Sequence, residues 1–122
     1  MKRGRTVVDF LRDMIEYAEV ASRLVHGVDY DAFRTNTEKT LAVVRCLEVI
    51  GEASTNVPSE VRDGHPAVPW SRVIGMRNIV IHGYFGVDLR VIWDTVADDL
   101  PPLREAVARM LADIERSPDP AA

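Results

Sequence analysis

The sequence predicts an all-α bundle of four or five helices in a single domain over residues 1–122. Apolar residues recur at three- and four-residue steps along four segments, and no segment alternates apolar and polar residues as a strand would. A chain of 122 residues can bury one core without disulfides or a structural metal. We expect an N-terminal arm of about residues 1–5 and a tail of about residues 117–122 to be flexible.

The first helix is predicted from Thr6 to Gly27. Thr6 and Asp9 have the spacing of a capping box, and Gly27 is a natural helix stop. One apolar stripe runs along this segment through Val7, Leu11, Met14, Ala18, Ala21 and Val25.

The second helix is predicted from about Asn36 to Val57, where Pro58 closes it. A short turn around "DYDAF" separates it from the first helix. After it, "PSEVRDGHPAVPW" contains several helix breakers and is predicted to be a loop with one helical turn.

A third helix is predicted from about Pro69 to His82, and Asp88 is placed as the N-cap of the next helical segment. In that last segment, apolar residues recur at three- and four-residue steps to the end, but Pro101 and Pro102 interrupt the helix. We therefore expect a kink or a break there, giving one bent helix or two.

The net charge of the chain limits the kind of nucleic-acid binding that can be expected. The net charge of −4 argues against a protein that coats nucleic acid by bulk electrostatics, so any RNA site must be local. The basic residues that could build one are Lys2, Arg3 and Arg5 in the arm and Arg72, Arg77 and Arg90 later in the chain.

We expect neither a membrane-spanning segment nor a secretory signal in this sequence. No apolar run is long enough to span a bilayer, and "MKRGRTVVDF" lacks the apolar core of a secretory signal, so we expect no membrane association and a cytoplasmic protein. The single cysteine, Cys46, lies in an apolar helical stretch and is interpreted as a core residue, with a reactive thiol as the minor alternative.

The segment "MRNIVIHGYFGVD" concentrates chemistry at the end of the third helix. Asn78 and His82 are four residues apart and therefore neighbours on a helix, with Arg77 beside them and Tyr84 just beyond Gly83. Each residue also has a structural interpretation: a histidine and a glycine commonly end a helix, an arginine can form a salt bridge, and a tyrosine can be half-buried. Spacing alone favours these structural roles.

Other candidate residues carry weaker signals. His26 precedes a glycine at a helix end, and His65 lies in the proline-rich loop, so we interpret them as a cap and a loop residue. Since no histidines or cysteines are paired at ligand spacing, no metal site is expected. Arg45, Glu48 and Glu52 form a charged stripe that is usually a solvated face, although it could approach Arg77 or line a dimer cleft, and Glu48 is the first residue to test.

The order Arg77, four residues, His82, one residue, Tyr84 resembles the RX4HXY motif of the HepT-like toxins, a branch of the HEPN superfamily of α-helical ribonucleases. The segments "LEVIGEAS", "VPWSRVIGMRN" and "HGYFGVDLRVIWDTVADDLPPL" also resemble characteristic segments of that family, in the usual order. The resemblance covers nearly the whole chain after the N-terminal arm.

This resemblance implies an HEPN-type bundle that acts as a metal-independent ribonuclease without a cofactor. It implies that Arg77 and His82 are catalytic. Asn78 could support them by orienting His82 or contacting the phosphate, and the charged stripe adds Glu48 as a possible further residue around them. It also implies a toxin whose antitoxin, a minimal nucleotidyltransferase, uses ATP and a divalent metal to adenylylate Tyr84.

The resemblance further implies a homodimer. One histidine cannot easily be both base and acid in one step, and two copies of the motif across a two-fold axis would supply a second.

Two other functions remain open from sequence. In one, the chain is a non-catalytic nucleotide-binding or adaptor subunit of a nucleotidyltransferase, and the motif is a docking surface. In the other, it is a helical interaction module without a ligand. Cut RNA ends produced in the presence of a chelator would exclude both.

Overall fold

The predicted all-α fold is confirmed by the computed structural model, which describes residues 4–82 and 88–116, with the side chains of residues 79–82 left out. No strand occurs in these ranges. The helices are α1 Val7–Val25, α2 Tyr30–Thr35, α3 Thr37–Thr55, α4 Ser59–Asp63, α5 Trp70–His82, α6 Leu89–Asp94 and α7 Leu100–Arg116, with a π-helical turn over Thr95–Asp99 between the last two.

The start and end of α1 follow the local signals in the sequence. The Thr6 hydroxyl accepts from the Asp9 N–H, and the Asp9 carboxylate accepts from the Thr6 N–H at 2.9 Å, which completes the predicted capping box. The hydrogen bonds that the Asp9 carboxylate accepts from the backbone N–H and the hydroxyl of Thr6 lower its pKa. The helix ends at the C-cap His26, and Gly27 adopts a φ of 72°, a conformation that glycine adopts without steric cost.

The turn expected around "DYDAF" is instead a helix, α2. The Asp29 carboxylate accepts from the Ala32 N–H at 2.8 Å and caps it. Phe33 is completely buried, with its ring 5.3 Å from that of Trp93. The expectation of a turn was wrong because a tertiary contact between distant segments stabilises this helix, which is too short to be stable alone.

The long helices α1, α3, α5 and α7 form the bundle. Helix α1 packs against α3 and α7, and α3 also packs against α5. The core between them contains fully buried side chains from all four helices, among them Leu11, Leu47, Ile50, Val73 and Val107. Cys46 is also buried there, and its burial raises the pKa of the thiol, in agreement with the interpretation of Cys46 as a core residue.

The predicted kink in the last helical segment takes the form of the π-helical turn. Asp88 caps α6 as expected, since its carboxylate accepts from the N–H groups of Arg90 and Val91. The two following prolines, Pro101 and Pro102, have no N–H to continue the α-helical hydrogen bonds. Just before them, the Leu100 N–H donates to the Thr95 carbonyl, five residues back, and α7 begins at Leu100 directly after the π-helical turn.

The loop after α3 contains the single helical turn that was predicted, α4. His65 lies in this loop, and its carbonyl accepts from the indole N–H of Trp70 at 3.0 Å. This contact fixes the entry to α5, whose first residue is Trp70. Within residues 4–82 and 88–116, no helix is long and apolar enough to cross a membrane.

Candidate active site

Arg77 and Asn78 lie at exposed positions near the end of the described side chains of α5. Val73 and Met76 of the same helix are buried and anchor it to α3, and Arg77 lies one helical turn after Val73. Arg77 and Asn78 directly follow Met76 and are both exposed. Arg77 therefore lies at the edge of the contact between α3 and α5, where its side chain is still partly exposed to solvent.

Arg77 forms an ion pair with Glu52 of α3. Its Nε lies 3.2 Å from Oε2 of Glu52, and the two side chains are 44% and 57% exposed. The helices come unusually close at this point because Gly51 has no side chain. A Cβ added to Gly51 would lie 2.8 Å from Cβ of Arg77 and 3.0 Å from its backbone nitrogen.

An open cavity of about 560 Å³ lies beside Arg77 between α1, α3 and α5. Three arginines and three carboxylates line it in pairs, together with the half-buried ring of Phe10. The pairs are Arg5 with Asp13 at 2.9 Å, Arg45 with Glu48 at 3.3 Å, and Arg77 with Glu52 at 3.2 Å.

The electrostatics of this cavity suit an exchangeable anion. Solvent-exposed ion pairs contribute about 0–1 kcal/mol each, so an arginine can leave its carboxylate for a phosphate at small cost. The Arg5 guanidinium also lies over the Phe10 ring, 5.3 Å from its centre. The cavity thus brings three guanidinium groups together, each balanced by one carboxylate.

Several basic residues noted in the sequence lie elsewhere. Arg72 pairs with Asp99 of the π-helical turn at 3.1 Å, and Arg90 pairs with Asp94 and lies over the ring of Tyr30. Neither lines the cavity. Arg5 does line it, whereas Lys2 and Arg3 are outside the described residues.

The candidate residues fall into two groups, those whose side chains the structure describes and those whose side chains it does not. Arg77 and Glu48 line the same cavity, and Asn78, also exposed, follows Arg77 on α5. The backbone of α5 continues through His82, so Asn78 and His82 are one helical turn apart, but the His82 side chain is outside the described part of the structure. Tyr84 also lies outside the described residues.

Glu52 is the member of the charged stripe that approaches Arg77, although Glu48 was the first residue to test. Glu48 was the preferred acidic candidate of the charged stripe, yet Glu48 pairs with Arg45, and Glu52, one helical turn later, meets Arg77. The signal that could have identified Glu52 was Gly51. A glycine inside a helix costs roughly 1 kcal/mol relative to alanine and often marks a close approach of another backbone.

The side chains that could hold a metal are not clustered in the described ranges. Among residues 4–82 and 88–116, no three histidine, cysteine, aspartate or glutamate side chains are placed to share one ion. Guanidinium groups and carboxylates make up the charged lining of the cavity.

Comparison with known proteins gives a consistent result. A family described as "Ribonuclease HepT-like" matches residues 14–110. The chain is 40% identical to "Probable ribonuclease HepT" of Thermococcus cleftensis, over 85% of this chain and 93% of that protein. It is 37% identical to "Putative RNase MJ1216" of Methanocaldococcus jannaschii, over 91% of this chain and 92% of that protein.

No solved structure matches the chain significantly. The family match spans most of the sequence, including Arg77 and His82, and both relatives are covered over more than nine-tenths of their length. The chain belongs to the HepT-like ribonuclease family.

Proposed function

We propose that this ribonuclease is the toxin of a toxin–antitoxin pair. In this proposal it cleaves RNA in the cytoplasm without a metal ion, at a site that contains Arg77 and His82. The observation that carries the proposal is the position of Arg77, half-exposed at the edge of a cavity lined by three exchangeable ion pairs. A phosphate can bind the terminal nitrogens of a half-exposed guanidinium there without the burial of an uncompensated charge.

The chemistry we propose uses the 2′-hydroxyl of the RNA. Its oxygen attacks the adjacent phosphorus while the bond from phosphorus to the 5′-oxygen breaks, leaving a 2′,3′-cyclic phosphate and a 5′-hydroxyl. Arg77 holds the phosphate oxygens in its planar fork as their negative charge grows. His82 transfers protons near neutral pH, and Asn78 orients His82 or contacts the phosphate.

Two proton transfers are needed for this reaction. A base removes the proton of the 2′-hydroxyl, and an acid protonates the leaving 5′-oxygen. We propose that a homodimer brings two His82 and two Arg77 residues to one cleft, so that one imidazole acts as base and the other as acid.

The test of the nuclease proposal is cleavage by the purified protein in the presence of EDTA. Arg77→Ala and His82→Ala are each expected to lower the cleavage rate by about 10²- to 10⁴-fold, the usual effect of removing a catalytic group. Helicity and thermal midpoint are expected to change little for Arg77→Ala because its ion pair with Glu52 is exposed. Gel electrophoresis of a labelled oligonucleotide measures the fraction of RNA that remains uncut over time.

A matched control for Arg77→Ala is Arg72→Ala. Arg72 lies on the same helix, is 67% exposed and also forms an interhelical ion pair, but it does not line the cavity. It is expected to cleave at the unmodified rate. If Arg77→Ala lowers the rate less than tenfold, or if EDTA stops cleavage by the unmodified protein, the proposed mechanism is wrong. If the unmodified protein and every variant leave the RNA intact, the function as a non-catalytic adaptor subunit is favoured.

We further propose that a minimal nucleotidyltransferase neutralises the toxin by adenylylating Tyr84. The phenol is protonated at neutral pH, so the partner would have to activate it and supply ATP with its divalent metal. An attached AMP would add a negative phosphate and a bulky base two residues from His82 in sequence. It would thereby repel the phosphate of an incoming RNA and pair with an arginine of the site.

Co-expression with the partner tests this regulation. We expect intact mass to increase by one or more AMP units on a peptide that contains Tyr84, and Tyr84→Phe to prevent the increase while it preserves RNA cleavage. The modified protein is expected to leave RNA uncut. The proposal fails if the AMP maps to Tyr17 or Tyr30, or if the modified protein cuts RNA as fast as the unmodified one.

A further inference from the structure

Glu52 places a negative charge next to the arginine that the proposed function assigns to the RNA phosphate. At first sight this arrangement is unfavourable, because a carboxylate competes with phosphate for the same guanidinium and repels it. We infer that Glu52 is a positioning residue for Arg77, which holds the guanidinium in the orientation that binds the scissile phosphate. This inference rests on the proposed role of Arg77 in cleavage.

The geometry of the pair supports this role. The Glu52 carboxylate lies 3.2 Å from Nε, at the side of the guanidinium nearest its aliphatic stem. A guanidinium is planar and has five N–H donors, one on Nε and two on each terminal nitrogen. A carboxylate at Nε therefore leaves the outer edge, with the two terminal nitrogens, for the fork-like contact with two phosphate oxygens.

The stem of Arg77 is fixed as well. Gly51, adjacent to Glu52, lets the backbone of α3 approach Cα, Cβ and the nitrogen of Arg77 within about van der Waals contact. Packing against α3 thus fixes the position of the first atoms of the side chain, and the charge of Glu52 orients its Nε. An arginine with four free side-chain torsions would lose more conformational entropy when it binds a phosphate.

Stability does not explain the pair. Both side chains are about half-exposed, and an ion pair of this kind adds little to the free energy of folding. Glu48 provides a natural comparison, since it lies one turn earlier on α3, lines the same cavity and carries the same charge, but pairs with Arg45. Any effect that comes only from negative charge in the cavity is shared by both glutamates.

The experiment measures kcat and KM separately for a short RNA with Glu52→Gln, Glu52→Ala and Glu48→Gln. Loss of the negative charge is expected to lower KM about two- to fivefold for all three, because one repulsive unit charge near a phosphate is removed. The Glu52 variants are also expected to lower kcat about 10- to 100-fold, the effect of misplacing a catalytic group by about 1 Å. The loss of kcat in Glu48→Gln is expected to be at least tenfold smaller.

Two further measurements separate positioning from a general loss of structure. Glu115→Gln removes an exposed ion pair with Arg12 outside the cavity and is expected to leave both constants unchanged. Hydrogen exchange at Nε of Arg77, followed by NMR in the folded protein, is expected to be faster in Glu52→Gln than in the unmodified protein. Backbone amide exchange of the core residue Val73 on the same helix is expected to stay unchanged in Glu52→Gln, and faster exchange at both positions would indicate a general loss of structure instead.

The outcomes distinguish this inference from the proposed function. If Arg77→Ala removes cleavage but the Glu52 variants keep their kcat, positioning by Glu52 is refuted and the nuclease mechanism stands. An equal loss of kcat in the Glu48 and Glu52 variants also refutes it, because the effect then belongs to cavity charge. If Arg77→Ala retains full cleavage, the proposed function and the positioning role both fail.

Discussion

Gly51 is the residue at which packing and the candidate site depend on each other. It is buried in the middle of α3, where glycine is an unfavourable choice for a helix. The neighbouring backbone of α5 explains it, since the space that a side chain would fill is occupied by Arg77. The two helices can therefore place Glu52 and Arg77 in contact.

Gly51→Ala is expected to destabilise the protein by about 1–3 kcal/mol, the usual cost of overpacking a tightly packed site. The added methyl group would lie 2.8 Å from Cβ of Arg77, so that α3 and α5 would have to separate. RNA cleavage is expected to fall with stability because Arg77 moves. Urea unfolding followed by circular dichroism measures the first effect.

The control is Gly75→Ala on α5, where an added Cβ meets no described atom within 4 Å. Alanine is the better helix former, so this variant is expected to be neutral or up to about 1 kcal/mol more stable. Equal unfolding free energies for the two alanine variants would show that the close approach at Gly51 has no energetic weight.

At this scale, the sequence predicted contacts between near neighbours, whereas it left open whether the charged stripe meets Arg77 and through which glutamate. The Thr6–Asp9 capping box joins residues three apart, so its spacing alone predicted it. The Glu52–Arg77 pair joins residues 25 apart, and its existence depends on how α3 and α5 pack. The spacing of a stripe shows which residues share a face but does not show which residue lies opposite.

Among the elements, α2 shows how a tertiary contact can determine a short helix. It has only six residues, of which Phe33 is buried completely against the ring of Trp93 on α6. The sequence predicted the four long helical segments from their repeated apolar stripes. A single buried residue in a short segment gives no such period, which is why α2 was expected to be a turn.

Phe33→Ala is expected to destabilise the fold by about 3–5 kcal/mol, as for other large aromatic side chains removed from a core. The cavity left under α2 would also remove the contact that orients Trp93. Tryptophan fluorescence and urea unfolding would both report the change.

Tyr30→Phe, which keeps a ring at the edge of the same cluster, is the control and is expected to cost less than about 1 kcal/mol. A loss below about 1 kcal/mol for Phe33→Ala would mean that α2 is not held by this contact.

For the whole molecule, the exposed face of α3 links the candidate site to the proposed dimer. Leu41 is 63% exposed, the most exposed large apolar side chain of the described residues. It lies four and eleven residues before Arg45 and Glu52, so the three share one side of the helix. A second copy seated on this side would cover Leu41 and bring two cavities together about the two-fold axis.

Leu41→Glu is therefore expected to convert a dimer into a monomer at micromolar concentration and to lower RNA cleavage with it. A buried charge repeated across the axis opposes association, whereas the exposed position in the single chain tolerates a glutamate without loss of the fold. Sedimentation velocity gives the oligomeric state, and cleavage of labelled RNA at the same concentration gives the activity.

Val91→Glu makes the same change at the other exposed large apolar residue of the described chain, 40% exposed on α6, and is expected to remain dimeric. If Val91→Glu dissociates the dimer and Leu41→Glu does not, the interface lies elsewhere. A monomer that cuts RNA at the full rate would instead exclude a site shared by two copies, since one chain would then have to provide both the base and the acid.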